Sequence, residues 1–226
     1  MSTILHLETA TKNCSVCIAE SGKVVAVVEA TTLHYSHSEN LHFFVQQALD
    51  KANLDMNDIT AVAVSKGPGS YTGLRIGVAA AKGLCVALDV PLIAVNTLEV
   101  MAQNHSVEPH TYLVPMLDAR RMEVYTMILD HHKKVIKDTW AEILTPQSFS
   151  AFAKEKQLLV VGEGASKCKL LVSNPNIRFQ EKPEYPSAAS MASLAYAKYQ
   201  AQQFESVAYF EPYYLKEFMT IKKNTK

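Results

Sequence analysis

The residues best suited to chemistry form a glycine-rich run at positions 67–77, with the sequence Gly-Pro-Gly-Ser-Tyr-Thr-Gly-Leu-Arg-Ile-Gly. The run follows an apolar segment, 59–64, and opens a long helix of small residues, 74–88. A turn of this kind exposes free backbone N–H groups and the positive end of a helix dipole. It is therefore suited to an anion or to a close backbone neighbour. The candidate loop residues are Gly67, Pro68, Gly69, Ser70, Tyr71 and Thr72.

The run does not match the known nucleotide-binding glycine motifs or a serine-nucleophile site. No Gly-Lys-Ser/Thr follows the glycines, so the run is not a Walker loop, and its spacing differs from the dinucleotide fingerprint. No histidine or acid can be assigned to Ser70, so a serine-nucleophile triad has no support.

Composition bounds the remaining possibilities. The chain has 226 residues, with 22 Lys and Arg against 22 Asp and Glu, and its formal net charge is zero. A neutral chain has no overall attraction to nucleic acid, so any RNA contact must be local or made by a partner. The four cysteines do not have the spacing of a disulfide framework. The sequence has no evident signal peptide, and no unbroken apolar stretch reaches the roughly 18 residues that a membrane span needs. We therefore expect a cytoplasmic protein that does not contact a membrane.

The order of elements repeats: three strands, a helix, a strand and a helix occur twice. The first half has predicted strands at 4–8, 15–19, 24–30, 59–64 and 91–95, and helices at 36–52, 74–88 and 96–103. The first helix begins at Ser36, with Glu39 completing a capping box. The second half has strands at 112–117, 123–130, 134–140 and 158–161, a glycine turn at 162–165, helices at 146–156 and 186–203, and a docked aromatic tail at 212–218.

This repetition is typical of an α/β protein of the actin/sugar-kinase/Hsp70 (ASKHA) type with duplicated βββαβα lobes. We expect residues 1–107 to form the first lobe, whose helices are candidates for binding a partner. Residues 108–226 are expected to form a smaller, degenerate second lobe, whose last helix or tail could pack back on the first lobe. In that architecture each lobe begins with a carboxylate at the end of its first strand, facing an interdomain phosphate site. Glu8 and Asp118 hold those positions here.

Three stretches together resemble the TsaB family: Leu-His-Leu-Glu-Thr-Ala-Thr at 5–11, the glycine run, and Leu-Asp-Ala-Arg-Arg-Met-Glu-Val-Tyr at 117–125. The family is the smaller paralogue of the TsaD, glycopeptidase-like branch of the fold. The resemblance implies a non-catalytic scaffold or activator subunit. Such a subunit pairs with TsaD and TsaE to make threonylcarbamoyladenosine next to the tRNA anticodon, pairs with itself in isolation, and meets tRNA only through the complex.

The sequence departs from the metal site of the catalytic branch. That branch binds a metal through a His-x-x-x-His helix that begins just after an Asn. The matching stretch here begins at Asn96 and places Thr97 and Met101 where the two imidazoles would lie. Neither side chain is a useful ligand for zinc or iron in such a site, so the resemblance implies no metal and no catalysis.

The phosphate-binding strand ends are weakened as well. An actin-type kinase uses Asp-x-Gly-x-Thr, whereas Ala10 takes the glycine position after Glu8, and no glycine follows Asp118. The turn at 162–165 resembles an adenosine loop in part. We therefore expect no cofactor requirement for this chain, with ATP or ADP left open at a complex interface. The weak candidates for nucleotide contact are Glu8, Thr9, Asp118, Gly162 and Gly164.

A partner surface is favoured because the helix at 74–88 is apolar almost all round, so more than one face must be covered. Its small residues would let a second helix approach closely. Phe43 on the first helix lies on a polar face. The predicted interface comprises Phe43, Gln46, Gln47, Asp50, Gly73, Arg75, Gly77, Ala80, Ala81 and Leu84.

Three other functions compete with this interpretation. A nucleotide-dependent phosphotransferase or ATPase would use Glu8 and Asp118 around Mg-ATP, and would bind ATP as a lone chain. A glycopeptidase-like metalloenzyme is disfavoured, because Thr97 and Met101 leave it without ligands. A tRNA-binding module by itself is disfavoured by the neutral charge.

Overall fold

A computed structural model describes residues 2–31 and 37–216, which form two five-stranded sheets with helices around them. The first lobe contains β1 (Thr3–Glu8), β2 (Asn13–Glu20), β3 (Lys23–Thr31), α1 (His37–Ala52), β4 (Ala61–Gly67), α2 (Tyr71–Leu88), β5 (Leu92–Asn96) and α3 (Thr97–Ala102). The second lobe contains β6 (Thr111–Asp118), β7 (Glu123–Leu129), β8 (Val135–Ile143), α4 (Ser150–Glu155), β9 (Gln157–Val161), α5 (Ala165–Leu171), β10 (Ile177–Phe179) and α6 (Ala192–Gln200).

The two sheets have the same topology. The first has the order β3-β2-β1-β4-β5, and the second has the matching order β8-β7-β6-β9-β10. In each sheet the first strand pairs antiparallel with the second and parallel with the fourth in chain order. The duplicated α/β fold expected from the sequence is therefore confirmed.

Helices α1 and α2 lie side by side on one face of the first sheet, because each has an apolar stripe at helical spacing. The predicted inner face of α1 is confirmed: Leu41, Phe44, Val45, Ala48 and Leu49 are buried in the core. Ser36, its predicted cap, lies outside the described residues.

Two helices cross between the lobes. Helix α6, with the 3-10 turn Ala188–Met191 before it, packs on the other face of the first sheet. Helix α3 belongs to the first lobe in sequence but packs on β6 of the second, through Leu98 and Met101. A buried hydrogen bond from the Asn96 amide to the Thr139 hydroxyl, 2.8 Å, adds a polar link. The lobes therefore share their cores.

The structure corrects several elements of the second lobe. The helix predicted from residue 146 begins at Ser150, because Phe149 has a φ of 65° and so cannot be part of a right-handed helix. The helix predicted from residue 186 begins with the 3-10 turn, and its α-helical part ends at Gln200. Helix α5 and strand β10, of seven and three residues, were not predicted.

By length and composition, α2 is the helix among the described residues that could cross a membrane. Its inner face packs on the first sheet, and its outer side carries Arg75. The core helix of a folded lobe has this same composition, so α2 gives weak support for a membrane span.

Candidate functional site

The glycine run lies against the turn that follows β1. A Cβ atom placed on Gly69, Gly73 or Gly77 would come closer than 3.0 Å to an oxygen of Ala10 or Thr9. The Thr9 hydroxyl also donates a hydrogen bond to the Gly73 carbonyl, 2.8 Å. Of the two possibilities that the sequence left open, the structure therefore shows the close backbone neighbour.

Three N–H groups of the glycine run, those of Ser70, Gly73 and Leu74, are hydrogen-bonded within the chain. Ser70 caps α2: its side chain accepts a hydrogen bond from Gly73 N, 3.4 Å, and its carbonyl accepts one from Leu74 N, 2.9 Å. The Ser70 amide donates to the Ala10 carbonyl, 2.7 Å. Pro68 is buried beside the loop, whereas Tyr71 is half-buried and Thr72 is exposed. Ser70 is therefore a helix cap.

Glu8 is fully buried at the end of β1. Its carboxyl accepts a hydrogen bond from the Ala10 amide, 2.7 Å, and another from the Ser65 hydroxyl. Burial raises the pKa of Glu8 to about 7, although the hydrogen bond from Ser65 opposes that shift. The Ala10 amide, which would face a phosphate in an actin-type kinase, is thus hydrogen-bonded to the Glu8 carboxyl. Glu8 and Thr9 are both buried in this conformation, so the predicted nucleotide contacts at these residues stay a prediction.

Asp118 has a different environment. It is exposed at the end of β6, where its carboxylate pairs with Lys167 Nζ, 2.6 Å, and accepts the Arg120 amide, 2.6 Å. The neighbouring Glu163 has a pKa raised to about 7, first by burial and then by the charge of Asp118. Sequence reasoning missed Glu163 and Lys167, although Glu163 lies within the Gly-Glu-Gly turn that it singled out.

Gly162 and Gly164 allow close packing. A Cβ on Gly162 would lie closer than 3.0 Å to the Met101 side chain and 2.5 Å from the Met116 carbonyl. The Gly162 amide donates to Gln180 Oε1, 3.1 Å, and the Gly164 amide donates to the Met116 carbonyl, 3.1 Å. Both amides are therefore already paired, and the resemblance to an adenosine loop does not extend to free donors.

The residues do not fit the metal of the catalytic branch. Thr97 is fully buried and its hydroxyl has no hydrogen-bond partner, while Met101 is buried in the apolar cluster between the lobes. Within residues 2–31 and 37–216, no group of three or more His, Cys, Asp or Glu side chains could hold a metal ion. At the two positions where the catalytic branch has metal ligands, α3 therefore has side chains that pack in the protein interior.

The predicted partner stripe of α2 is partly wrong. Gly73, Gly77 and Ala81 are buried within the chain, because this stripe faces the turn after β1 and the first sheet. Ala80 and Leu84 are half-buried and pack on the same core. The small residues Gly73, Gly77 and Ala81 therefore serve packing within the chain.

A different stripe of α2 faces outward. Thr72, Arg75, Ala79, Gly83 and Val86 are exposed at spacings of three and four residues, so they share one side of the helix. Val86 has 74% of its surface exposed. Open space surrounds the position that a Cβ on Gly83 would take, so nothing in residues 2–31 and 37–216 requires that glycine.

Helix α1 packs next to α2 and has an exposed side of its own. Phe43 has 59% of its surface exposed, and Gln46 and Asp50 are exposed and joined by a hydrogen bond of 2.9 Å. Gln47 is half-buried. We call the combined surface the α1–α2 face. It consists of Phe43, Gln46, Asp50, Thr72, Arg75, Ala79, Gly83 and Val86.

Known proteins resemble this chain along almost its whole length. A family model described as TsaD, tRNA N6-adenosine threonylcarbamoyltransferase, matches residues 29–221. The tRNA threonylcarbamoyladenosine biosynthesis protein TsaB of Haemophilus influenzae is 30% identical over 98% of this chain and 96% of that protein. A Pseudomonas aeruginosa structure described as similar to peptidase YeaZ superposes with a TM-score of 0.81 at 25% identity, covering 96% of this chain and 100% of that one.

A more distant likeness extends to a nucleotide-bound protein. The activator of the 2-hydroxyisocaproyl-CoA dehydratase from Clostridium difficile, with bound ADPNP, gives a TM-score of 0.50 at 10% identity over 89% of this chain and 97% of that one. At this identity the likeness concerns the fold alone.

The duplicated sheets, each with a carboxyl group at the end of its first strand, define the actin-like (ASKHA) class of two-lobed α/β proteins. Within that class the sequence match is specific to one branch. The chain belongs to the TsaB family, which confirms the resemblance seen in its motifs.

The two kinds of glycine on α2 give a matched stability test. Gly77→Ala should lower the free energy of unfolding by about 1–3 kcal/mol, because the added methyl would overlap the Thr9 side chain. Gly83→Ala should raise it by about 0.5–1 kcal/mol, since its methyl meets open space and alanine favours a helix. Urea denaturation with an unchanged m value measures both. Equal effects of the two substitutions would contradict the assignment of the inner and outer sides.

The buried carboxyl of Glu8 predicts a pH dependence. Its pKa rises from 4.5 to about 7 on folding, so the folded state binds more protons than the unfolded state between those values. Stability therefore falls as pH rises through this window, and the full cost is on the order of 3 kcal/mol above pH 7. Glu8→Gln cannot ionise, so its stability relative to the wild type should increase between pH 4.5 and 7.

The control is Glu108→Gln, which changes an exposed carboxyl. The free energy of unfolding of the wild type and of Glu8→Gln should be measured by urea denaturation at several pH values. Glu163 also has a raised pKa, but its contribution to the pH dependence of stability is the same in both proteins and cancels in the difference. A stability difference between them that is independent of pH would refute a raised pKa for Glu8.

Proposed function

We propose that this chain is a non-catalytic scaffold and activator subunit in tRNA threonylcarbamoyladenosine biosynthesis. It binds a TsaD-type transferase through the α1–α2 face. The observation that carries the proposal is the outer side of α2, where Ala79, Gly83 and Val86 form a small and apolar stripe with no partner among the described residues. An exposed glycine costs a helix about 0.5–1 kcal/mol relative to alanine, and closer approach of a neighbouring helix would offset that cost.

The side chains at the metal-ligand and phosphate positions support a non-catalytic role. Thr97 and Met101 supply no metal ligands, and the Ala10 amide is bonded to Glu8 instead of facing a phosphate. These contacts disfavour both the metallo-glycopeptidase and the ATP-dependent phosphotransferase. We expect the lone chain to require no cofactor, and any ATP or ADP to bind at the interface of the complex.

The same face accounts for the other proposed partners. In isolation, two copies of the chain would cover their α1–α2 faces by forming a homodimer, because an isologous contact buries the same patch twice. A specific interface of about 800 Å² per partner is a reasonable size for two helices side by side. TsaE would join the same assembly. The zero net charge leaves tRNA binding to the complex, which we place in the cytoplasm.

An arginine on the proposed face tests this function. Val86→Arg should weaken the complex with the TsaD-type subunit of the same organism by at least about tenfold, because a charge would be buried without a partner. The matched control is Leu170→Arg on α5, where the wild-type side chain is 81% exposed and lies outside the face. Size-exclusion chromatography with light scattering measures both complexes.

A reconstituted tRNA modification assay completes the test. Threonylcarbamoyladenosine formation should fall with Val86→Arg, stay at the wild-type level with Leu170→Arg, and be undetectable with this chain alone. A wild-type chain that ignores the TsaD-type subunit, or that modifies tRNA by itself, would contradict the proposal.

A further inference from the structure

The last described segment, residues 204–216, runs back across the first lobe, and we call it the strap. It is held along its length. Lys82 Nζ on α2 donates hydrogen bonds to the carbonyls of Ala208 and Phe210, each 3.1 Å, and the Phe210 side chain packs on the core. The strap is therefore an ordered part of the first lobe although it is the end of the second lobe in sequence.

The strap crosses the glycine run. The Tyr213 amide donates to the Lys66 carbonyl, 2.7 Å, and a Cβ on Gly67 would lie 2.7 Å from the Tyr213 carbonyl oxygen. Gly67 also has a φ of 113°, which only glycine adopts readily. The first glycine of the run thus serves the docking of the strap, whereas the later ones serve the turn after β1.

At its end the strap contacts the first turn of α2. The ring of Tyr214 packs on that of Tyr71, with centroids 5.0 Å apart. Arg75 lies over the same Tyr71 ring, 5.4 Å from its centroid, and donates a hydrogen bond to the Tyr71 hydroxyl, 3.2 Å. Tyr71, Tyr214 and Arg75 therefore form one stacked group at the edge of the α1–α2 face.

The final residue of the strap reaches the second lobe. Lys216 pairs with the Glu123 carboxylate at the start of β7 and lies over the Tyr125 ring, 5.8 Å from its centroid. A cavity of about 40 Å³ lies there between Tyr125, the glycine run and the strap. The first turn of α2 is thereby connected to the second lobe through side chains of the strap.

We propose that the strap positions the first turn of α2 for binding to the TsaD-type partner, and that Arg75 receives a carboxylate of that partner. This inference rests on the proposed function of the α1–α2 face. Arg75 is exposed and forms no ion pair within the described part of the chain, and its guanidinium is suited to bidentate carboxylate recognition. Stacking on Tyr71 fixes one side of that guanidinium, and Tyr214 supports Tyr71 from the strap.

Calorimetric titration of the partner into the full chain tests the inference. Tyr214→Ala should weaken binding by about threefold to tenfold, the value of a stacked aromatic contact. Tyr214→Phe keeps the ring and should bind within about twofold of the wild type. The control Tyr209→Ala removes a strap side chain that is 87% exposed and should also leave affinity unchanged.

The salt dependence of the binding affinity tests for the proposed ion pair of Arg75. Arg75→Gln should weaken binding and reduce its dependence on salt concentration, because an exposed ion pair is screened. Tyr214→Ala should keep the wild-type salt dependence. If Tyr214→Ala binds the partner as tightly as the wild type does, or if Arg75→Gln keeps the full salt dependence, the inference is wrong while the proposed function stands.

Hydrogen exchange on the isolated chain separates the inference from the proposed function. Tyr214→Ala and Lys216→Ala should both accelerate exchange at the amides of residues 74–78, whereas Tyr209→Ala should not. Unchanged exchange in the first two variants would refute positioning by the strap, whether or not the partner binds. A wild-type chain that fails to bind the TsaD-type subunit would remove the proposed function and the role of Arg75 with it.

Discussion

The close approach of α2 to the turn after β1 is the contact on which the rest of the structure depends. Gly69, Gly73 and Gly77 lack side chains where Thr9 and Ala10 come within contact distance, so the helix backbone lies against the backbone of the turn. This contact fixes which side of α2 faces inward. It also buries Thr9 and Ala10, the residues that would have to face a phosphate, and it leaves the opposite side of α2 exposed, which is the side that we propose for a partner.

The chain keeps the framework of an actin-like fold while its ligand positions are filled from within. Glu8 accepts a hydrogen bond from the Ala10 amide, and Met101 packs against Gly162 where the catalytic branch would hold a metal ligand. Because α3 and α6 each pack on the sheet of the other lobe, the two lobes share cores and hold these contacts closed.

The fold could be predicted because its repeated strand and helix periodicities, together with the family motifs, are carried by local sequence. The orientation of α2 could not, because small apolar residues occur on both of its sides and the position of Thr9, more than sixty residues away, decides which stripe is inside. The same long-range dependence hid the role of Gly67, whose neighbour Tyr213 comes from the strap. Helix α5 and strand β10 are too short to give a periodic signal.

Site-specific cross-linking would show directly whether the α1–α2 face binds the TsaD-type partner. All four native cysteines are buried, so Gln46→Cys on α1 would place one accessible thiol on the α1–α2 face and leave the small stripe of α2 unfilled. With a short thiol-reactive photo-cross-linker, this variant should cross-link to the TsaD-type subunit, whereas Leu170→Cys on α5 should not. Cross-linking from position 170 but not from position 46 would place the partner on the second lobe and contradict binding at the α1–α2 face.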